Sequence, residues 1–252
     1  MQKLFSNAMD IGEQMLICGA EVRRVEDTVR RMCSAFGAKR TDVFIIPSSM
    51  VVTVYMPNSD TYTMTRRITA ISTDIEKLHN LNNLSRRICS KKDMASEDIH
   101  KEFKHIMSGK AYPFWVGLFS YMIIAGAFAI FFGGGLADAL AALMIGGVMR
   151  IVTVLLEHAK MNQIFIKFVC AFGISTFALG FMKMGLISSI DSAIIGNIMY
   201  LIPTIGLTNG LRDLFAGDSV AGLIRLIEAI LNALGIAAGY FLFTFLLGGA
   251  LV

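Results

Sequence analysis

Between residues 111 and 137 the chain carries no charged side chain. A helix needs about 20 predominantly apolar residues to cross a hydrocarbon layer about 30 Å thick, and a run of this length and purity reads as such a span. Tyr112 and Trp115 stand near its start, where amphipathic rings anchor at a membrane interface. Further apolar stretches follow at 139–156, interrupted only by Arg150, and at 168–182, flanked by Lys167 and Lys183. Two more lie at 192–211, uncharged but containing Pro203, and at 229–252. Five membrane spans are expected.

The rest of the composition agrees. Hydrophobic residues make up 55% of the 252 positions and charged residues 17%, which excludes a disordered chain and disfavours a water-soluble monomer. Thirty charged side chains fall within residues 1–110 and only twelve beyond. The chain therefore divides near Gly109 into a domain over 1–108 and a transmembrane helical domain over 111–252. The basic residues ahead of the first span place the N-terminal domain on the cytoplasmic side of the plasma (inner) membrane, with the C-terminus outside. A net charge of +4 reads as an orientation signal, so no nucleic-acid partner is expected. Asp10 and Glu13 interrupt the N-terminal apolar residues, which argues against a signal peptide.

In the first half, apolar residues recur at helical spacing through Leu4, Ala8, Ile11 and Met15, then Val22, Val25, Val29, Met32 and Phe36, with Gly19 as a helix stop between them. This predicts an αα-hairpin. Glu26 and Arg30, at i, i+4, are expected to decorate its solvated face. Segments 43–46, 50–56 and 61–65 are rich in β-branched residues and separated by turn sequences, predicting a three-stranded antiparallel meander. Two helices follow, one over 71–88 and one starting at Ser96, whose hydroxyl is expected to cap it ahead of Glu97 and Asp98. The fold class is thus an α+β cytoplasmic domain followed by an all-α membrane bundle of about five transmembrane helices.

Catalytic signatures are lacking. Ser48 and Ser49 in a turn, with His79, His100 and His105 elsewhere, lack a GxSxG elbow, so a membrane-anchored hydrolase is a secondary alternative. Neither a P-loop nor GxGxxG occurs, which disfavours ATP-driven transport. Cys18, Cys33, Cys89 and Cys170 show neither CxxC pairing nor clustered histidines and are expected to be buried reduced thiols. No cofactor and no metal are expected.

Chemistry concentrates in residues 201–228, LIPTIGLTNGLRDLFAGDSVAGLIRLIE. Pro203 removes an amide donor and crowds the preceding turn, and Gly206 follows closely, so the helix is expected to break there. Thr208, Asn209, Arg212, Asp213, Asp218, Arg225 and Glu228 gather beside that break as candidate transport-pathway and substrate-binding residues. Two readings stand side by side. The arginines and acids form an interfacial network locking helices together, or an arginine fork takes an anionic or zwitterionic solute while Glu228 or Asp218 titrates. Nineteen of the 23 glycines lie beyond residue 110, where they allow close helix approach. A tight bundle of five short spans leaves little room for a pathway, so a further subunit is expected to complete it.

The segment GAEVRRVEDTVRRMC at 19–33, followed by the meander and by the TNGLRDL, AGD and RLIEA elements of 208–229, resembles the N-terminal, DUF1212-type component of the threonine/serine exporter family. The likeness covers nearly the whole chain. It implies a cytoplasmic α+β domain ahead of the membrane helices and secondary, proton-motive-force-dependent export of threonine and serine. A split pair of the same family is associated with succinate. It also implies a second, shorter membrane subunit, with a homo-oligomer as the other means of completing the pathway. Carried residue by residue, it points to the same seven polar positions. A non-transporting membrane scaffold or sensor is the remaining alternative.

Overall fold

The structure is a computed structural model that describes residues 2–69, 72–91, 94–109 and 112–247. Ile71, the expected start of the third helix, Ala111, the expected start of the first span, and the last residues of the final span lie outside the described residues. The chain forms two compact units: Met1–Lys110 with Ile205–Ile227, and Ala111–Thr204 with Glu228–Val252.

In the first unit, α1 (Gln2–Ile17) and α2 (Val22–Ala35) form the expected hairpin. Gly19 ends α1 with φ +91°, a left-handed conformation that costs glycine little. Its amide donates to the Leu16 carbonyl and that of Ala20 to the Met15 carbonyl, so the last carbonyls of α1 are satisfied by a Schellman turn. The apolar stripes meet in one core, in which Phe5, Ile11, Met15, Val25, Val29 and Met32 are almost inaccessible to solvent. Each such side chain contributes about 1.5–3 kcal/mol through removal from water.

Strands β1 (Arg40–Ile46), β2 (Ser49–Tyr55) and β3 (Thr61–Arg67) form an antiparallel meander in that order, with Val52 opposite Val43 and Met64. Strand alternation sends Met50, Val52 and Val54 into the core. On β3, Arg66 ties the sheet to α1 through Asp10 at 2.8 Å and Glu13 at 3.5 Å. Helices α3 (Ile75–Ser90) and α4 (Ser96–Met107) complete the layer. The amide of Lys77 donates to the side chain of Asp74, which caps α3. Ser96 does not cap α4. Ala95 holds the N-cap position, while the Ser96 hydroxyl and carbonyl both accept from Asn7 Nδ2, at 3.1 and 2.9 Å. Asn7 is buried and must place its donors somewhere, and it captures the hydroxyl that would otherwise have capped the helix.

The second unit contains α5 (Phe114–Phe131), α6 (Leu136–His158), α7 (Gln163–Lys183) and α8 (Ile190–Ile198), which continues into a 3-10 turn, Met199–Leu201. Beyond Pro203 lies α9 (Thr204–Phe215), and then α10 (Ser219–Leu247). Among the described residues four helices are long and apolar enough to cross a membrane, or five if α8 and α9 count as one broken span. The two-residue Leu136–Ala137 end of the first expected span belongs to α6, because the Gly133 turn, with φ +87°, comes earlier. Asp138, at the start of α6, is 1% exposed and fully employed. One of its oxygens accepts from the Ser188 and Ser189 amides at 2.7 and 3.0 Å, the other from the Gly135 amide at 2.8 Å. Three backbone donors on one carboxylate join the α5–α6 turn to the loop before α8.

Candidate functional site

The polar stretch of 204–228 folds as a helical corner. Pro203 ends the preceding helical path, and α9 begins at the next residue. Gly206, expected to contribute to the break, lies in the first turn of α9. At its other end α9 stops in a second Schellman turn: Gly217, with φ +93°, donates to the Leu214 carbonyl, and the Asp218 amide donates to the Asp213 carbonyl. The chain then reverses into α10. Helices α9 and α10 touch through glycine: a Cβ on Gly222 would fall 2.8 Å from the Gly210 carbonyl oxygen and 2.8 Å from the Leu214 amide nitrogen. Only residues without side chains permit that crossing.

This close crossing aims four side chains at one short target, the loop between α1 and α2. Asn209 Nδ2 donates to the Gly19 carbonyl at 3.0 Å. Arg225 Nη2 donates to the Ala20 carbonyl at 2.8 Å. Arg212 forms an ion pair with the Glu21 carboxylate. Asp213 faces the Val22 amide at the first turn of α2 and lies 3.4 Å from Arg225. Four consecutive residues, 19–22, are thus each met by a different polar group. The pattern of charge follows the helix ends: donors sit on the carbonyls just past the C-terminus of α1, and a carboxylate sits at the N-terminus of α2.

The energetic weight lies on the buried members. The side chains of Arg225 and Asp213 are 7% and 1% exposed, whereas Arg212 is 58% exposed. A screened surface pair such as Arg212 with Glu21 contributes at most about 1 kcal/mol. Ala221, from the first turn of α10, joins the same apolar core as α1 and α2, so the corner is packed as well as hydrogen-bonded.

Beside the clamp lies a pair of acids. Glu26 was expected on a solvated face with Arg30. It is half-buried, and burial first, then the charge of Asp218, raises its pKa above the usual carboxylate range. Because the folded value exceeds the unfolded one, protonated Glu26 favours the folded state at low pH, and this contribution is lost as pH rises through the folded value. The i, i+4 pair that does form on α2 is Asp27 with Arg31, at 2.8 Å and well exposed. One oxygen of Asp218 is buried without a hydrogen-bond partner among the described residues.

Of the seven candidate residues, Asn209, Arg212, Asp213 and Arg225 converge on residues 19–22, and Asp218 stands beside Glu26. Thr208 and Glu228 are exposed, and among the described residues their side chains take no part in this network. Sequence reasoning missed the target, residues 19–22. The only sign of it was a helix-stopping glycine followed by Glu21 between two strongly amphipathic helices. Among the described residues no group of histidine, cysteine or acidic side chains could hold a metal ion. Cys18, Cys33 and Cys170 are buried free thiols and Cys89 is half-buried. Burial pushes the Cys33 thiol up to about 12, which leaves it unreactive. Neither Ser48 nor Ser49 hydrogen-bonds a histidine among the described residues.

No curated protein and no solved structure matches the chain. The family comparison does find a match: residues 6–247 fit the threonine/serine exporter family, ThrE. That match runs through both units, from α1 to the end of α10, and includes the helical corner and the loop it grips. The chain is a member of the threonine/serine exporter family, a family of membrane exporters.

Proposed function

We propose that the protein is one subunit of a secondary-active exporter of small polar metabolites, threonine and serine or a dicarboxylate such as succinate, driven by the proton motive force. The N-terminal unit faces the cytoplasm of a multi-pass inner-membrane protein. The observation that carries this reading is the clamp of Asn209, Arg212, Asp213 and Arg225 on residues 19–22, in a chain of the exporter family. A helix broken at Pro203 and latched by a few polar contacts is suited to switching between the two arrangements that alternating access requires. Release of the latch frees Arg212 and Arg225 to meet an anionic group, with Asn209 and Thr208 beside them. Glu228 or Asp218 couples a proton to transport. The reading assigns no enzymatic activity to the chain.

A second membrane subunit, shorter than this one, or a further copy of the chain completes the pathway. Supporting this, α5 and α10 have only 17% and 22% of their apolar windows buried, against 44% and 39% for α6 and α7. Those two helices have the most surface left for lipid or for further helices.

Efflux of labelled serine, threonine and succinate from cells lacking their own exporters tests the reading, with the chain expressed alone and with its small membrane partner. Efflux that depends on the partner is the expected result. Efflux from the chain alone assigns the pathway to a homo-oligomer, and no efflux of any of the three removes the exporter reading for these solutes. Glu228→Gln is expected to flatten the pH dependence of efflux while leaving the protein in the membrane. An unchanged profile would place proton coupling elsewhere.

A further inference from the structure

Arg150, which interrupts the second apolar stretch, lies on α6 with its guanidinium carbon 4.8 Å from the centre of the Tyr121 ring of α5. Gly117 makes room for it: a Cβ there would come within 3.3 Å of Arg150 Nη2. Among the described residues Arg150 forms no ion pair and no hydrogen bond, and its Nε is buried without an acceptor. Guanidinium stays protonated in proteins, and among the described residues this one has only the face of an aromatic ring to offset its charge. Within its own unit, Asp138 is already committed to three backbone amides.

Among the described residues, two other buried polar atoms on the facing elements lack partners. The Tyr121 ring packs 4.5 Å from that of Tyr200, whose hydroxyl has no hydrogen-bond partner. One turn earlier, on α8, Asn197 is fully buried. Its Nδ2 donates to the Ala142 and Ala193 carbonyls at 3.1 and 2.9 Å, which fixes the amide orientation, because those carbonyls can only accept. Asn197 Oδ1 is left as an acceptor without a donor. It sits over Gly146, where a Cβ would approach it to 3.2 Å, and Gly146 is one turn before Arg150 on α6. Thus Gly146 on α6 faces Asn197, while Arg150 and Tyr200 both pack against the Tyr121 ring. Two unsatisfied donors and one unsatisfied acceptor lie within about one helical turn of each other along both elements.

We propose that Arg150, Tyr200 and Asn197 bind the transported solute, Arg150 and Tyr200 holding its carboxylate and the Asn197 carbonyl oxygen accepting from an ammonium or hydroxyl group beside it. This inference rests on the exporter reading and narrows it. A small amino or hydroxy acid satisfies all three atoms. A simple dicarboxylate does not, because its second carboxylate would turn an acceptor towards Asn197 Oδ1. The clamp on residues 19–22 then acts as a gate, and solute selection belongs to the α5–α6–α8 cluster.

The test pairs binding with transport. Full-length protein in detergent is heated with serine, threonine, succinate or serinol, which keeps the ammonium and hydroxyl groups of serine but lacks its carboxylate. Serine and threonine are expected to raise the unfolding midpoint, and succinate and serinol to leave it unchanged. Arg150→Gln is expected to weaken apparent serine affinity roughly 10- to 100-fold, and Tyr200→Phe about tenfold, with matching rises in the KM of efflux. Should Arg150→Gln fail to give a single folded species, Tyr200→Phe, which removes one oxygen atom, decides the matter. Wild-type serine affinity in the decisive variant, equal stabilisation by serinol, or no stabilisation by serine and threonine overturns the site. Efflux that persists at wild-type KM in these variants keeps the exporter reading and discards the site. Serine binding that depends on Arg150 without efflux does the reverse.

Discussion

Arg225→Ala is expected to lower the unfolding midpoint of the purified protein and to stop export, while the chain still inserts in the membrane. Arg225 is the centre of the clamp, donating to the Ala20 carbonyl at 2.8 Å and facing Asp213 at 3.4 Å. With the side chain gone, the Asp213 carboxyl group, only 1% exposed, loses its main counter-charge, a change that costs about 3–5 kcal/mol. Arg225→Lys recovers little, because an ammonium cannot match the planar fork that reaches a carbonyl and a carboxylate together. The double variant Arg225→Ala with Asp213→Asn restores much of the lost stability, since it removes the buried charge as well. Thermal unfolding of the three variants in detergent checks this order. A wild-type midpoint in Arg225→Ala would mean that the corner is held by apolar packing alone.

Gly239→Val separates α7 from α10 and gives the second large effect. A Cβ at Gly239 would collide with the Phe168 carbonyl oxygen and lie 3.1 Å from Ala171 Cβ. The first neighbour is backbone, which cannot rotate away, so the helices must move apart. Overpacking of this kind costs about 1–3 kcal/mol and more where main chain is involved. Gly180 supplies the control, because a Cβ there meets nothing within 4 Å. Gly239→Val is expected to lower the midpoint and the yield of monodisperse protein, whereas Gly180→Val behaves as wild type. Equal midpoints would refute the close approach of α10 to Phe168.

Much of the fold is legible in the residues. The αα-hairpin follows from the 3.6-residue spacing of its apolar positions and from Gly19, the meander from alternating β-branched residues and turn sequences, and the spans from uncharged length. These are local periodicities, each written within a single element. The interruption at Pro203 is equally local, since a missing amide acts on its own helix. By contrast, Ser96 fails as a cap because Asn7, far away in the chain, needs its hydroxyl. Glu26 leaves its expected solvated face because Asp218 and burial surround it. Neither outcome can be read from the residue's own neighbours.

The same division holds for the candidate site. From sequence came the list of polar residues beside a helix break, and the sequence left open whether they lock helices or receive solute. In the structure, Asn209, Arg212, Asp213 and Arg225 hold the loop at 19–22, while Thr208 and Glu228 stay apart from them. Arg150 was visible only as an interruption of an apolar run. Its meaning depends on Tyr121, Tyr200 and Asn197, which come from other elements. Sequence alone determined the elements, their order and the apolar surface each must hide, because propensity, periodicity and span length act over a few neighbouring residues. Only the tertiary structure decided which polar groups meet, because a hydrogen bond or an ion pair is made between atoms about 3 Å apart, whatever their separation along the chain.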